Sequence, residues 1–352
     1  MKTIDLSMNL LQGQAPLKEI PQTILKNFKD FSDNIEEINL ANNEISDLSI
    51  LHKFPFPNLK KLDVSNNTLE YLPDNFFEKF LKLEQINLAG NKLTQIPKSI
   101  WSLVNLEYLN LARNKISSLP EFLCDISNLK ELNISSNKLT FIPDTIKNLV
   151  NLEKIVATNN SIEYIPDTIC YLFQIKTLVF SKNKLKEIPE SFKYLITLIE
   201  CNLSENLLNF LPNIFEYFEK LQYILLNSNN LSSLPDSFAK LKNLIFLSLD
   251  DNKFSEIPDT LKNLRFLKFL SMNSNKISEI PEFLYDFNEL IHLELANNKI
   301  VTISPKIFNL KRLYCLDLSN NLLMSIPKYP QKKVPSCKKT HIKFCQNLIS
   351  KK

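Results

Sequence analysis

Glycine is nearly missing from this chain, at 2 of 352 residues, where an average protein carries about 7%. Loops that cradle phosphate in the G-x-G-x-x-G or G-x-x-x-x-G-K-[ST] manner need clustered glycines, and Gly13 and Gly90 stand alone. Histidine is scarce too: His52, His292 and His341 are spread along the chain and leave no room for a multi-histidine metal site. There is no G-x-S-x-G nucleophile elbow, and no apolar run reaches the ~18 residues of a membrane-spanning helix. The start, MKTIDLSMNLLQGQ, carries Asp5 and Asn9 inside what would be the apolar core of a signal peptide, which argues against secretion. Neither sign of charge dominates, with 42 basic and 38 acidic residues and a net charge of +4. No nucleic-acid partner is therefore expected. These absences close most routes to catalysis, so no catalytic, cofactor or metal residue is expected.

The chain is rich in one pattern. Residues from Leu106 read LEYLNLARNKI, those from Leu129 read LKELNISSNKL, and those from Leu267 read LKFLSMNSNKI. All obey L-x-x-L-x-L-x-x-N-x-L. The asparagine recurs from Asn91 to Asn321 in ten intervals of 23 residues, and Asn43 and Asn67 continue it upstream at a spacing of 24. Ile4, Leu6 and Asn9 form a degenerate first copy. Length alone suggests two domains of about 150 residues, but one partial and thirteen full repeats instead make residues 1–327 one solenoid and 328–352 a tail.

Each repeat has two halves. In the first, residues such as Leu244, Leu247 and Leu249 point inward while Phe246, Ser248 and Asp250 alternate outward, the period of a short strand. A single copy cannot bury its apolar side, so stacked copies build a parallel sheet over a shared core. The asparagine amide both donates and accepts, which suits it to a buried column that satisfies turn backbone in place of glycine turns. Six residues later comes a proline in most copies, at 73, 97, 120, 143, 166, 189, 212, 235, 258, 281 and 327, with the exceptions Pro305 and Ser49. Its fixed φ and missing N–H suit a short return outside the sheet. Returns wider than strands ~4.8 Å apart predict a curved stack with the sheet on its concave side.

The pattern resembles the leucine-rich repeat family in its 23-residue form with an L/I-P step, and covers over nine-tenths of the chain. Within the family it is similar to intracellular Ras-group proteins of the Ras-suppressor, Scribble and cyclase-associated kinds. The resemblance implies an α/β horseshoe-shaped solenoid, with a concave parallel β-sheet and short helical or irregular convex returns. It implies a scaffold or adaptor in intracellular signalling that binds proteins on the concave face, a small GTPase or a phosphatase among them. Such repeats also occur fused to kinase, phosphatase or cyclase domains, so a regulatory part or truncated form of a signalling enzyme is the alternative.

The ends are less regular. Pro21 to Phe28, with Phe31 beyond, predicts a short helix led by proline that covers the first turns. Met1 stands three residues before the first strand, which leaves either a bare edge or a beginning further upstream. The six cysteines include Cys201 in a core leucine position and Cys124 and Cys170 two repeats apart on the return side, beyond the ~7 Å limit for a bridge. Of the five N-x-S/T sequons, Asn133 and Asn202 would put sugar on the sheet face. A reduced, cytoplasmic setting is expected. Cys337 and Cys345 in the tail are close enough in sequence to pair in an oxidising compartment.

No acidic residue follows Asp317, and residues 328–352 hold eight lysines. The tail's +8 within a total of +4 leaves residues 1–327 at −4. It reads as a solvated segment, or as a contact for anionic membrane lipid or an acidic protein surface. His341-Ile342-Lys343-Phe344 faintly resembles a basic-aliphatic-x-aromatic phosphatase docking motif.

One outward column breaks from polar to aromatic. It begins Glu37, Lys61, Gln85, Tyr108, Glu131, Lys154, Thr177 and Glu200, then runs Tyr223, Phe246, Phe269 and His292 before Cys315, with Leu225 beside Tyr223. Neighbouring aromatics stabilise a ladder by about 0.2–1 kcal/mol per pair. Contiguous exposed apolar surface also marks an interface, and aromatics are preferred anchors. The flanking acids Asp250, Asp251, Glu294 and Asp317 suit a partner with an apolar centre and a basic rim. His292, Cys315, Glu294 and Asp317 share two columns, but repeats place side chains in columns automatically, and neither catalysis nor a metal is expected there.

Overall fold

The computed structural model describes residues 2–7, 16–327 and 341–343. Cα packing divides the chain into two compact units, Met1–Leu178 and Val179–Lys352. The first contains β1 (Thr3–Asp5), α1 (Gln22–Phe31), β2 (Glu37–Asn39), β3 (Lys61–Asp63), β4 (Gln85–Asn87), β5 (Tyr108–Asn110), β6 (Glu131–Asn133) and β7 (Lys154–Val156). These strands pair in parallel and in chain order, one repeat per rung: Ile4 lies opposite Ile38, Ile38 opposite Leu62, and Leu109 opposite Leu132. The central residue of each strand is buried and its neighbours face outward, as the two-residue period requires. β8 (Thr177–Val179) falls at the boundary.

The second unit repeats the plan with β9 (Glu200–Asn202), β10 (Tyr223–Leu225), β11 (Phe246–Ser248), β12 (Phe269–Ser271), β13 (His292–Glu294) and β14 (Cys315–Asp317). Its register is as strict, with Cys201 opposite Ile224, Leu247 opposite Leu270 and Leu293 opposite Leu316. A further strand, β15 (His341–Lys343), pairs in parallel with β14, Ile342 opposite Leu316. The remainder of the lysine-rich 328–352 segment, with Cys337 and Cys345, lies outside the described residues.

Inside each unit the asparagines form the expected hydrogen-bonded column. Asn114 donates through Nδ2 to the carbonyls of Leu111, Ala112 and, one repeat back, Leu88, at 3.0, 3.3 and 3.0 Å, and its Oδ1 accepts from the Leu93 N–H at 3.0 Å. Asn252 does the same with Leu249, Asp250, Leu226 and Leu231. Each amide thus satisfies the turn of its own repeat and ties it to the one before.

One expectation needs correcting. The asparagines do not occupy the glycine-like backbone positions; the residue before each does. Asn42, Asn66, Arg113, Ser136 and Asn159 in the first unit, and Lys182, Glu205, Ser228, Asp251, Ser274, Asn297 and Asn320 in the second, have φ between +51° and +59°. Among the described residues of positive φ, only Gly90, at +68°, is glycine. The left-handed turn aims each N–H at the next repeat, as when Arg113 donates to the Ser135 carbonyl at 2.8 Å and Lys182 to that of Ser204 at 2.9 Å. That bond, with the asparagine column, holds a conformation that costs an ordinary side chain about 1–2 kcal/mol.

The prolines open short 3-10 helices on the return side. Pro143 (φ −69°, ψ 150°) precedes Asp144–Asn148, and its carbonyl accepts from Ile146 at 3.0 Å. Where the proline shifts to Pro305, it starts the helix Pro305–Asn309, and Ser304 caps it through a bond from Lys306 N at 3.2 Å. The predicted N-terminal helix forms as α1, with Pro21 at the capping position before its first residue. Phe28 is fully buried, edge-on to Phe54 and Phe56 at 5.5 and 5.2 Å.

Cys124, Cys170, Cys201 and Cys315 are thiols, not disulfides. Burial pushes the Cys124 thiol up to about 11 and that of Cys201, in the core position read from the sequence, up to about 12. Cys201 is smaller than the leucine it replaces, and a void of about 20 Å³ lies beside it among Phe192, Leu203 and Phe215.

Candidate functional site

The outward faces of the two units differ in chemistry. On the first, the columns read as alternating charges, with Lys61 paired to Glu37 at 3.1 Å, Lys130 to Glu107 at 2.8 Å and Lys154 to Glu131 at 3.7 Å. All are exposed, and pairs of this kind contribute only ~0–1 kcal/mol.

On the second unit, parallel register brings the predicted aromatic residues into one row. Tyr223 and Phe246 have ring centroids 6.5 Å apart. Phe246 and Phe269 stack at 4.1 Å with planes 7° apart, and Phe269 lies 5.6 Å from His292. Tyr223 is 39% exposed and Phe246, Phe269 and His292 are half-buried, so the rings present faces or edges to solvent. The row has a member that the column reading missed: Tyr314, 49% exposed, meets His292 edge-on at 6.1 Å. It stands one residue before Cys315, off the column, so only its place next to β14 hints at it. Leu225 is half-buried beside Tyr223.

Below the rings runs a polar network. In most copies the third strand residue caps the turn two residues on, as Asn133 does for Ser135 N at 3.1 Å and Asp317 for Ser319 N at 3.0 Å. β11 and β12 have Ser248 and Ser271 there, and the caps move one step along. Asp250 accepts from Asn273 N at 2.6 Å and from the Ser271 hydroxyl, and Asn273 Oδ1 accepts from Ala296 N at 2.7 Å. Asn273 Nδ2 in turn donates to Glu294 at 3.1 Å. Burial, reinforced by the charge of Glu294, holds Asp250 above the usual carboxylate range. Asp250 is thus turned into the sheet as a cap, whereas Asp251 is exposed.

At the end of the row, His292 and Glu294 on β13 and Cys315 on β14 bring donor atoms within 4.8 Å of one another, all three half-buried. Asp317 completes the second column beside Glu294.

Comparison with known proteins agrees with this architecture. Leucine-rich repeat family patterns match residues 33–79, 57–116, 128–149 and 219–277. The structure of a leucine-rich repeat protein from Leptospira interrogans is 31% identical and superposes with a TM-score of 0.85 over 98% of this chain and 84% of that one. The chain belongs to the leucine-rich repeat family. An internalin from Listeria monocytogenes shares the fold at 21% identity, TM-score 0.77, over 90% of this chain and 95% of that one. The human PH domain leucine-rich repeat-containing protein phosphatase 1 is 32% identical over 95 residues, 27% of this chain. This repeat chain spans only about 5% of the length of that phosphatase. Proteins built on such repeats generally mediate protein–protein interaction. Among the described residues, no helix is long and apolar enough to cross a membrane.

Proposed function

We propose that this leucine-rich repeat protein is a cytoplasmic scaffold or adaptor in signal transduction that binds a protein partner on the strand face of its second unit. The observation that carries this reading is the Phe246–Phe269 stack, half-exposed and extended by Tyr223, His292 and Tyr314. Rings stacked in a row give a rigid apolar strip that loses little side-chain entropy on binding, the character of interface anchors. The exposed Asp251 and the half-buried Glu294 and Asp317 favour a partner with basic groups around an apolar centre. A small GTPase or a phosphatase subunit is the partner class drawn from Ras-group resemblance. The buried thiols Cys124 and Cys201 support a reduced compartment.

Wild-type protein and the Phe246→Ser/Phe269→Ser variant, both confirmed folded by circular dichroism, are used to capture proteins from lysate. Proteins retained by the wild type should be lost with the variant. Undiminished capture by a folded variant overturns the reading.

A second reading is favoured by the match to the human protein phosphatase: a regulatory repeat segment that acts with a signalling enzyme. It requires phosphatase or kinase activity to co-purify with the chain, and activity no higher than in a mock purification removes it.

A further inference from the structure

We propose that His292, Glu294 and Cys315 form a binding site for one divalent transition-metal ion of the zinc class. The proposal stands apart from the partner reading, since it needs no second protein. An imidazole, a carboxylate and a thiol, contributed by adjacent strands, have ligand atoms within 4.8 Å of one another. Tetrahedral coordination at about 2.0–2.3 Å requires separations of about 3.3–3.8 Å. The side chains are half-buried and hang from a rigid sheet, so ordinary rotamer changes close the remaining gap. The donor set selects the metal: thiolate with imidazole favours zinc-like ions over magnesium or calcium, which take oxygen alone.

The groups around the cluster resemble a supporting shell. Glu294 Oε2 accepts from Asn273 Nδ2 at 3.1 Å and from the Ser271 hydroxyl at 3.3 Å, which restricts the rotation of its carboxylate. The His292 ring sits between Phe269, at 5.6 Å, and Tyr314, at 6.1 Å, so its plane is set by aromatic walls. Such outer groups orient ligands in metal sites. Among the described residues, no other group of three histidine, cysteine or acidic side chains has this geometry. The Cys315 thiol loses its proton to solvent on binding, and water takes the position that the three protein ligands leave open.

The test uses the full chain, reduced and stripped with chelator, titrated with Co²⁺ and with Zn²⁺. Expected are one equivalent of Co²⁺, a thiolate-to-cobalt charge-transfer absorption, and its displacement by Zn²⁺. Cys315→Ser should abolish the absorption. His292→Gln and Glu294→Gln should each weaken Zn²⁺ binding by at least roughly tenfold, since loss of outer-shell groups alone costs ~10–100-fold. Circular dichroism of each variant confirms the fold, and if Cys315→Ser does not fold, the two glutamine variants decide. No stoichiometric uptake by the wild type overturns the proposal. So does an absorption that survives in Cys315→Ser and disappears in Cys337→Ser/Cys345→Ser, because the metal is then held by the tail.

Discussion

At the scale of the residue, the scarcity of glycine becomes a statement about where strain is tolerated. Among the described residues, twelve left-handed positions carry ordinary side chains and one carries glycine. The exception has a steric cause: a Cβ on Gly90 would lie 2.2 Å from Asn66 Oδ1 and 3.2 Å from the Asn66 Cα. Asn66 itself is held by a 2.9 Å bond to Asn42. Gly90→Ala must therefore displace that side chain as well as adopt φ +68°, and should cost about 1–3 kcal/mol, read from chemical denaturation against the wild type. Asp250 makes the opposite case. Its native pKa is raised, so the fold prefers the protonated form, and stability is lost as pH rises from the ordinary carboxylate range through the native pKa. Asp250→Asn keeps an acceptor for Asn273 N and removes the charge. It should melt above the wild type near pH 7, with the gap narrowing toward about pH 4. A constant gap in thermal melts across that range would contradict the assignment.

At the scale of the element, the asparagine column is the main device. Asn252 serves three carbonyls and one N–H in buried surroundings. Each group left unsatisfied costs about 1–3 kcal/mol, so Asn252→Ala should destabilise by at least about 3 kcal/mol, whereas replacing the exposed Lys253 should change little. Matched urea titrations of the two variants check this. The column was legible in the sequence because a buried amide admits almost no substitute, and period-two leucines made the strand register legible for the same reason. The left-handed positions were not, since arginine, lysine, glutamate, serine and asparagine all occupy them and backbone conformation leaves no mark on composition. The move of the turn caps to Asp250 and Asn273 was hidden too, because it follows from serines at two neighbouring positions rather than from any motif. β15 had a faint signal: Ile342, Phe344, Asn347 and Ile349 stand at the repeat's own offsets, 26 residues after Asn321. Lys339 in place of the leading leucine, and the changed interval, masked it.

At the scale of the whole molecule, the two units differ along the chain in surface chemistry rather than in fold. One unit offers exposed lysine–glutamate pairs, and the other offers rings in a row that end in a histidine, a cysteine and two acids. A column is easily read as polar or aromatic from sequence, which is why the row was found. Tyr314 lay outside it because contact between rings crosses columns. The partner-capture and metal-titration experiments read different properties of this unit, protein retention in one and metal stoichiometry in the other.

The bonds of the asparagine column reach one repeat back and no further. Within a unit, a chain wired in this way can gain or lose a whole 23-residue segment and still return every amide to an equivalent neighbour. A residue added on the return side is absorbed there: the 24-residue repeats ending at Asn67 and Asn91 keep the same bonds one repeat back, to the Leu40 and Val64 carbonyls. Length in such a protein therefore changes freely in whole repeats or within the returns, while each strand and the asparagine that follows it keep a fixed spacing, as from Lys61 to Asn67 and from Tyr108 to Asn114.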